Sequence, residues 1–384
     1  MIRRLAARWA PRVFLALAVT TLGSVTLRAQ YAQTNLVSDI PGLALHTDPD
    51  LQNPWGMSFA PTSPFWISDA RRGITTLYSA AGVRQALTVT IPGPTGDVQS
   101  EPTGQVFNNT GSFRLADNAN ATFLFATTNG TIAAWNGGEG TTAVTQVTAT
   151  PGASFTGLAI AGSGSTARLY AADFGTGHVD VFDGNFAPTL QNAFVDPGLP
   201  PGYAPFNVQN VGGNIVVTYA LKNPLTGDDV AGPGNGFVDV YDQNGTLLRR
   251  VVSDGALSSP WGVALAPGAF GPFGGALLVG NFGDGTIHAY DFFTGALLGQ
   301  LMDGHGAPIV NDGLWTIAFG NNGTGSSPNV LYLTAGIDNE QHGLFASLTT
   351  TPEPSSLLLL ATGLSALVAR GRRKKGKGAA PSAA

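Results

Sequence analysis

A chain of 384 residues with 52 glycines, 25 prolines and no cysteine is long enough to bury a large core and must do so without disulfides. Its formal charge of −5 conceals a segregation: between Tyr31 and Thr350 stand 23 Asp and Glu against 8 Lys and Arg, a net −15, while the remaining cations gather at the two ends. A body so anionic repels phosphate backbones, which excludes nucleic acid as a partner and leaves cations open.

The first element is a leader. Arg3, Arg4, Arg8 and Arg12 precede an uncharged apolar run, Val13–Val19, and small residues follow at Ala29 and Ala32. This is the layout of a secretory signal peptide over residues 1–29, with the mature chain beginning near Gln30 or Gln33. Thr20, Thr21, Gly23 and Ser24 dilute the run well before the roughly 20 apolar residues that a membrane span needs.

From residue 33 to 350 the sequence repeats. A glycine followed by an alternating strand and a turn residue occurs six times: GITTLYS from Gly73, GTIAAWN from Gly130, GHVDVFD from Gly177, GFVDVYD from Gly236, GTIHAYD from Gly285 and GLFASLT from Gly343. The glycines are 57, 47, 59, 49 and 58 residues apart, a period that marks an array of supersecondary units. Upstream of each lies a second apolar strand, such as FWISDA from Phe65 or LLVGNF from Leu277, and further upstream a third, twice opened by PWG at Pro54 and Pro260. Alternation over five or six residues bounded by Gly and Pro predicts strands throughout, with no convincing helical period. Six four-stranded units predict an all-β, six-bladed β-propeller.

The ends predict how the ring closes. LLRRVVSDGALSSPWG from Leu247 precedes the fifth unit, and TNLVSDIPGLALHTDPDLQNPWG from Thr34 precedes the first, so Thr34–Ser38 reads as an outer strand with no blade of its own. The last unit stops at Thr350 without its outer strand. The N-terminal strand is therefore expected to complete the last blade, leaving no large unpaired edge.

The final segment, 351–378, joins Pro352, Glu353 and Pro354 to the uncharged run Ser355–Ala369 and the basic residues Arg370, Arg372, Arg373, Lys374 and Lys375; residues 379–384 read as a disordered tail. The run is about 22 Å long as a helix, short against a bilayer core of about 30 Å. Polar spacer, short apolar run and basic stop are an arrangement that holds a chain in the membrane while a protease cuts upstream.

These tail residues resemble a PEP-CTERM sorting signal. The resemblance implies an exosortase-type processing enzyme as partner, transient association with the inner membrane, and an exported body that ends at the cell surface or outside it. The body, from Asn35 through LQNPWGMSFAPTSPFWISD at Leu51 to PWGVALAP, resembles a family of exported bacterial propeller proteins, itself uncharacterised, in which this signal recurs. More distantly the blade layout is similar to NHL-repeat and gluconolactonase-like propellers.

Oxygen ligands from different blades suggest where a site would lie. Asn53, Glu101, Ser154 and Ser259 stand two residues before the tryptophan of PWG or its equivalent, Asp312 falls loosely in the same place, three before Trp315, and Asp69, Asp173 and Asn281 follow second strands. Such residues suit Ca²⁺ or Mg²⁺. The gluconolactonase-like resemblance implies one ion held by Asn53, Glu101, Asp173 and Asn281; the competing reading is that Asp69, Asp173 and Asn281 cap tight turns. Asp183, Asp242 and Asp291 read as turn residues, Trp55, Trp261 and Trp315 as packing, His178 and His288 as surface positions. The long loop Leu221–Gly236 marks a place to look for binding. No catalytic constellation is spelled out. The favoured function is a surface or matrix module that binds polysaccharide or protein; a metal-dependent hydrolase or lactonase is the alternative, and a docking scaffold the third.

Overall fold

Each PWG-type segment becomes the innermost of four antiparallel strands, and six such sheets stand around a central channel. Blade 1 runs Pro54–Ser58, Phe65–Asp69, Ile74–Tyr78 and Arg84–Thr90 from the axis outward. The inner strands of blades 2 to 6 are Pro102–Phe107, Phe155–Ala161, Tyr203–Val211, Pro260–Leu265 and Leu314–Phe319. This computed structural model describes residues 30–94 and 100–351. The predicted leader 1–29, the residues Pro352, Glu353 and Pro354, the cluster from Arg370 to Lys375 and the tail 379–384 lie outside the described residues.

Second strands are mostly apolar and buried along their length because they pack between neighbouring blades. Phe65–Asp69, Phe123–Thr127, Leu277–Asn281 and Leu331–Ala335 are buried at every position. The blade interfaces hold the core: Trp66 of blade 1 lies 4.1 Å from Phe123 of blade 2, and Phe65 lies 4.5 Å from Tyr332 of blade 6.

Side chains also stitch the inner strands into a girdle. The Thr103 hydroxyl donates to the Phe155 carbonyl, Thr156 to Phe206, Asn207 Nδ2 to Trp261 and Thr316 to Trp55, all at 2.6–2.8 Å and all from one blade to the next. Gln105 Nε2 reaches back to the Gly56 carbonyl at 2.8 Å. Glycines after Thr103 and Trp261 allow the close approach: a Cβ on Gly104 would stand 2.4 Å from the Leu158 nitrogen, and one on Gly262 2.6 Å from the Trp315 oxygen.

Closure comes from Gln30–Ser38, which starts four residues before the expected Thr34. It pairs antiparallel with Leu344–Thr350, from Tyr31↔Thr350 to Ser38↔Leu344, with a bulge between Asn35 and Val37. Tyr31, Leu36 and Val37 are buried by this pairing, and the Tyr31 ring stacks on Phe270 of blade 5 at 4.8 Å.

Three local features depart from the sequence reading. The outer strand of blade 3 is only Pro188–Thr189, since Pro188 lacks an N–H and the chain then turns inward to bury Phe194 between Tyr170 and Tyr241. His288 is 9% exposed, covered within blade 5, and burial lowers its pKa; His178 is exposed as expected. A four-residue helical turn, Ile337–Glu340, follows the second strand of blade 6.

Candidate functional site: the channel mouth

The inner strands all begin at one end of the channel, and their first residues close it with aromatic rings. Trp315 stacks on Trp55 at 3.6 Å and on Phe282 at 4.0 Å, with Trp261 and Phe206 at 5.8 and 5.9 Å. Phe174 extends the cluster to blade 3, 5.0 Å from Phe206. Five blades thus contribute to one floor. The indole N–H of Trp261 crosses the channel to the Thr156 carbonyl at 3.1 Å.

Above this floor stands Glu340. Asp338, Asn339 and Glu340 have φ of 55°, 52° and 63°, three successive non-glycine residues in the left-handed region. Such a turn costs roughly 1–2 kcal/mol per residue and persists only where its surroundings over-determine it. Here they do. The Asp338 amide donates to Asp312 Oδ2 at 3.0 Å, the Glu340 amide to the Gly336 carbonyl at 3.1 Å, and Gly343 N–H to Asp39 Oδ1 at 2.8 Å. His342 Nδ1 lies 2.8 Å from Asp39 Oδ2, so the segment that closes the ring also braces the turn.

The turn delivers the Glu340 carboxylate to Asn53, whose Nδ2 donates to Oε2 at 2.7 Å. Burial raises the Glu340 carboxyl above its ordinary value; the Asn53 hydrogen bond opposes this, the charges of Asp229 and Glu101 add to it, and Arg71 opposes it. Asp229 comes from the long loop of blade 4. That loop folds back on itself through a bridge between Lys222 and Asp229, and burial raises the Asp229 carboxyl too, with the Ser259 hydroxyl partly offsetting. Lys222 turns its ammonium to the Phe174 carbonyl at 2.9 Å and over the Phe174 ring at 5.6 Å.

The four residues expected to share an ion meet different fates. Asn53 is buried with its Oδ1 taken by the indole N–H of Trp315 at 2.8 Å. Asp173 is buried in a turn: Oδ1 accepts from the Ser154 and Thr176 amides at 2.8 and 3.1 Å, and Oδ2 from the Thr176 hydroxyl. Asn281 donates to the Ala256 carbonyl at 2.8 Å and keeps a buried Oδ1 without a partner. Glu101 is exposed, its Oε2 accepting from Thr128 at 2.8 Å. Asn53 and Glu101 stand at the Glu340 mouth, whereas Asp173 is tied into its own loop. Among the described residues no three His, Asp or Glu side chains are placed to hold one metal ion. Asp69, buried like Asp173, accepts from the Thr76 hydroxyl at 2.7 Å, and burial holds its carboxyl well above the usual range. Asp183, Asp242 and Asp291 cap turns as expected, each accepting two backbone amides.

Glu340, Asp229 and Arg71 were not distinguishable from the sequence. The run Asp338-Asn339-Glu340 was the available signal for Glu340, since Asn and Asp tolerate left-handed backbone. Gly336 is the second: a Cβ there would stand 2.2 Å from Asn53 Oδ1 and break its bond to Trp315.

Ring, girdle and mouth define a six-bladed β-propeller whose loops gather half-buried carboxyls over an aromatic floor, and residues 350–374 match the PEP-CTERM protein-sorting motif, which implies export and processing at a membrane. Among the described residues no helix is long and apolar enough to cross a membrane. Over 337 residues the chain is 32% identical to an uncharacterized protein of Acanthamoeba polyphaga mimivirus, covering 82% of this chain and 78% of that one. A second uncharacterized protein of the same virus is 32% identical over 330 residues, covering 82% and 84%. The chain belongs to the family of these proteins. Its fold is similar to that of a glucose dehydrogenase (TM-score 0.51, 11% identity, covering 82% of this chain and 99% of that one). It is likewise similar to the PQQ-bound aldose sugar dehydrogenase of Streptomyces coelicolor (TM-score 0.50, 12% identity, covering 84% and 99%). Likeness at such identity shows the fold alone.

Proposed function

We propose that the chain is exported, trimmed at Pro352, Glu353 and Pro354 by an exosortase-type enzyme, and works at the cell surface or in the matrix as a binding module for polysaccharide or protein. Its recognition end is the mouth around Glu340. One observation carries the reading: Glu340 is destabilising twice over, by its left-handed backbone and by burial beside Asp229 and Glu101, and unfavourable residues of this kind gather where a protein binds. Carboxyls over aromatic rings suit a partner that presents hydroxyl or cationic groups.

The test is co-sedimentation of the processed protein with extracellular matrix isolated from the exporting cells. The wild-type protein should sediment; Glu340→Gln with Asp229→Asn should remain in solution while melting as a folded protein. Equal sedimentation of the two would remove the mouth from the reading.

A second reading, Ca²⁺ or Mg²⁺ at the same mouth, is favoured by the charges of Asp229 and Glu101, both of which bear on Glu340. A divalent ion would offset their repulsion, and the hydrolase alternative depends on it. Identical melting curves in millimolar Ca²⁺, Mg²⁺ and EDTA would discard both the ion and the hydrolase.

A further inference from the structure

The far end of the channel is built differently from the mouth. Beyond the girdle the inner strands surround a cavity of about 390 Å³, lined by residues 56–59 of blade 1, 104–107 of blade 2, 158–160 of blade 3, Asn207, Gln209 and Asn210 of blade 4, Trp261 of blade 5 and residues 316–318 of blade 6. Strands rise about 3.3 Å per residue, so Phe59 lies roughly 20 Å along the chain from Asn53 at the mouth. None of the described residues lining the cavity is Asp, Glu, Lys, Arg or His, although the body as a whole carries a net −15. A charged ligand would find no counter-ion there.

The lining is instead amide, hydroxyl and hydrocarbon. Gln105 gives both Nε2 hydrogens to carbonyls, of Gly56 at 2.8 Å and of Trp66 at 2.9 Å, and this fixes which end of the amide is oxygen. Its Oε1 and the Ser58 hydroxyl are buried in the wall and do not reach the cavity surface, so the groups open to a ligand are those of Asn207 and the rim. Asn207 gives one hydrogen to Trp261 and accepts from Val208, leaving a second N–H and a lone pair. At the rim, Gln209 and Asn109 are exposed, and among the described residues their side chains make no hydrogen bond. Between these polar groups Phe59, Phe107 and Ile317 supply apolar wall. Unused acceptors and donors in alternation, on a neutral and partly apolar wall, match a ligand that carries several hydroxyls on a carbon ring. The volume falls at the lower end of the range of small-molecule sites, about 300–1,000 Å³.

We infer that this cavity is a binding site for a neutral polyhydroxylated ligand of one or two sugar rings, held by Asn207, Gln209 and Asn109, with Gln105 fixing the wall behind them. It is a second site, independent of the mouth. Because Trp261 lines it, binding is readable in tryptophan fluorescence and by titration calorimetry.

The probes are D-glucose, N-acetylglucosamine and maltose, with D-glucuronate and D-glucosamine as charged counterparts, each titrated into the processed protein to 20 mM. At least one neutral probe should bind, and its charged counterpart should bind at least tenfold more weakly. Gln209→Ala with Asn109→Ala alters only exposed side chains that bond nothing else, so the variant should keep its melting temperature and lose at least tenfold in affinity. Glu340→Gln should bind the neutral probe as the wild type does. The inference is overturned if no neutral probe binds, if charged and neutral probes bind alike, or if the rim variant binds unchanged. Loss of binding in Glu340→Gln alone would overturn it as well, by moving the sugar to the mouth.

Discussion

Removing the closing strand gives a measurable test of how the ring holds. A chain that starts at Leu43 lacks Gln30–Ser38 and with it the burial of Tyr31, Leu36 and Val37. At about 1.5–3 kcal/mol for each large apolar side chain, the loss is roughly 5–9 kcal/mol, against a total stability of about 5–15 kcal/mol for a typical domain. It also removes the Asp39 carboxylate that braces Gly343 and His342, and bares the edge of Leu344–Thr350 to other chains. Calorimetry and light scattering of chains starting at Gln30 and at Leu43 should show a protein that melts far lower, or aggregates on purification. Leu36→Ala is the milder version: it should cost about 2–5 kcal/mol. At an unfolding entropy of about 2.1 cal/mol/K per residue, a body of this size loses roughly 1.5 °C per kcal/mol, so the expected fall is about 3–7 °C. A chain starting at Leu43 that melts within a degree or two of the longer one would refute the account of closure.

Glu340→Gln should change the pH profile of stability. A carboxyl whose folded pKa is raised favours the folded state when protonated, below the ordinary glutamate value of 4.5, and that advantage is lost as pH rises through the folded value. The melting temperatures of wild type and variant should therefore converge near pH 4, with the variant higher at pH 7 to 8; parallel curves would contradict the buried carboxyl. Asn339→Gly places the residue indifferent to the sign of φ in the middle of the left-handed turn. Relief of roughly 1–2 kcal/mol, less about 0.5–1 for the freer unfolded chain, predicts a neutral to mildly stabilised protein; destabilisation by more than about 1 kcal/mol would show that the Asn339 side chain holds the turn. Alanine at Pro352, Glu353 and Pro354 together should leave the melting of the body unchanged while mass spectrometry finds the basic cluster still attached to surface material; a wild type that also keeps Arg372–Lys375 there would contradict processing.

The propeller was legible because each blade repeats the same local physics. GHVDVFD and GFVDVYD alternate apolar and polar residues in sequence, glycine starts them, and an Asx turn ends them. The closing strand was legible for a different reason, the duplication of VSD and PWG in two places. The mouth was not. Asn53 has no marker of its own: its oxygen faces Trp315, 262 residues away, and its amide faces Glu340, 287 away. Only the closed ring brings them together. Asp173 looked the same as a ligand from sequence, yet Thr176, three residues on, takes it into a local turn. The long loop was recognisable by its length, but which of Asp228 and Asp229 turns inward depends on the bridge to Lys222.

The way the ring closes also sets which way the molecule looks. Successive strands of a blade run alternately away from the mouth and toward it, so Leu344–Thr350 begins beside Glu340 and ends at the opposite face, where Gln30 begins. There the Thr351 amide donates to the Gln30 carbonyl at 3.0 Å. Both termini of the propeller therefore leave from one spot on its underside. Were the body held by a tether leaving at Thr351, that underside would face whatever holds it and Glu340 would point outward. Tension on such a tether would load Leu344–Thr350 along its length, in shear against both Gln30–Ser38 and Leu331–Ala335.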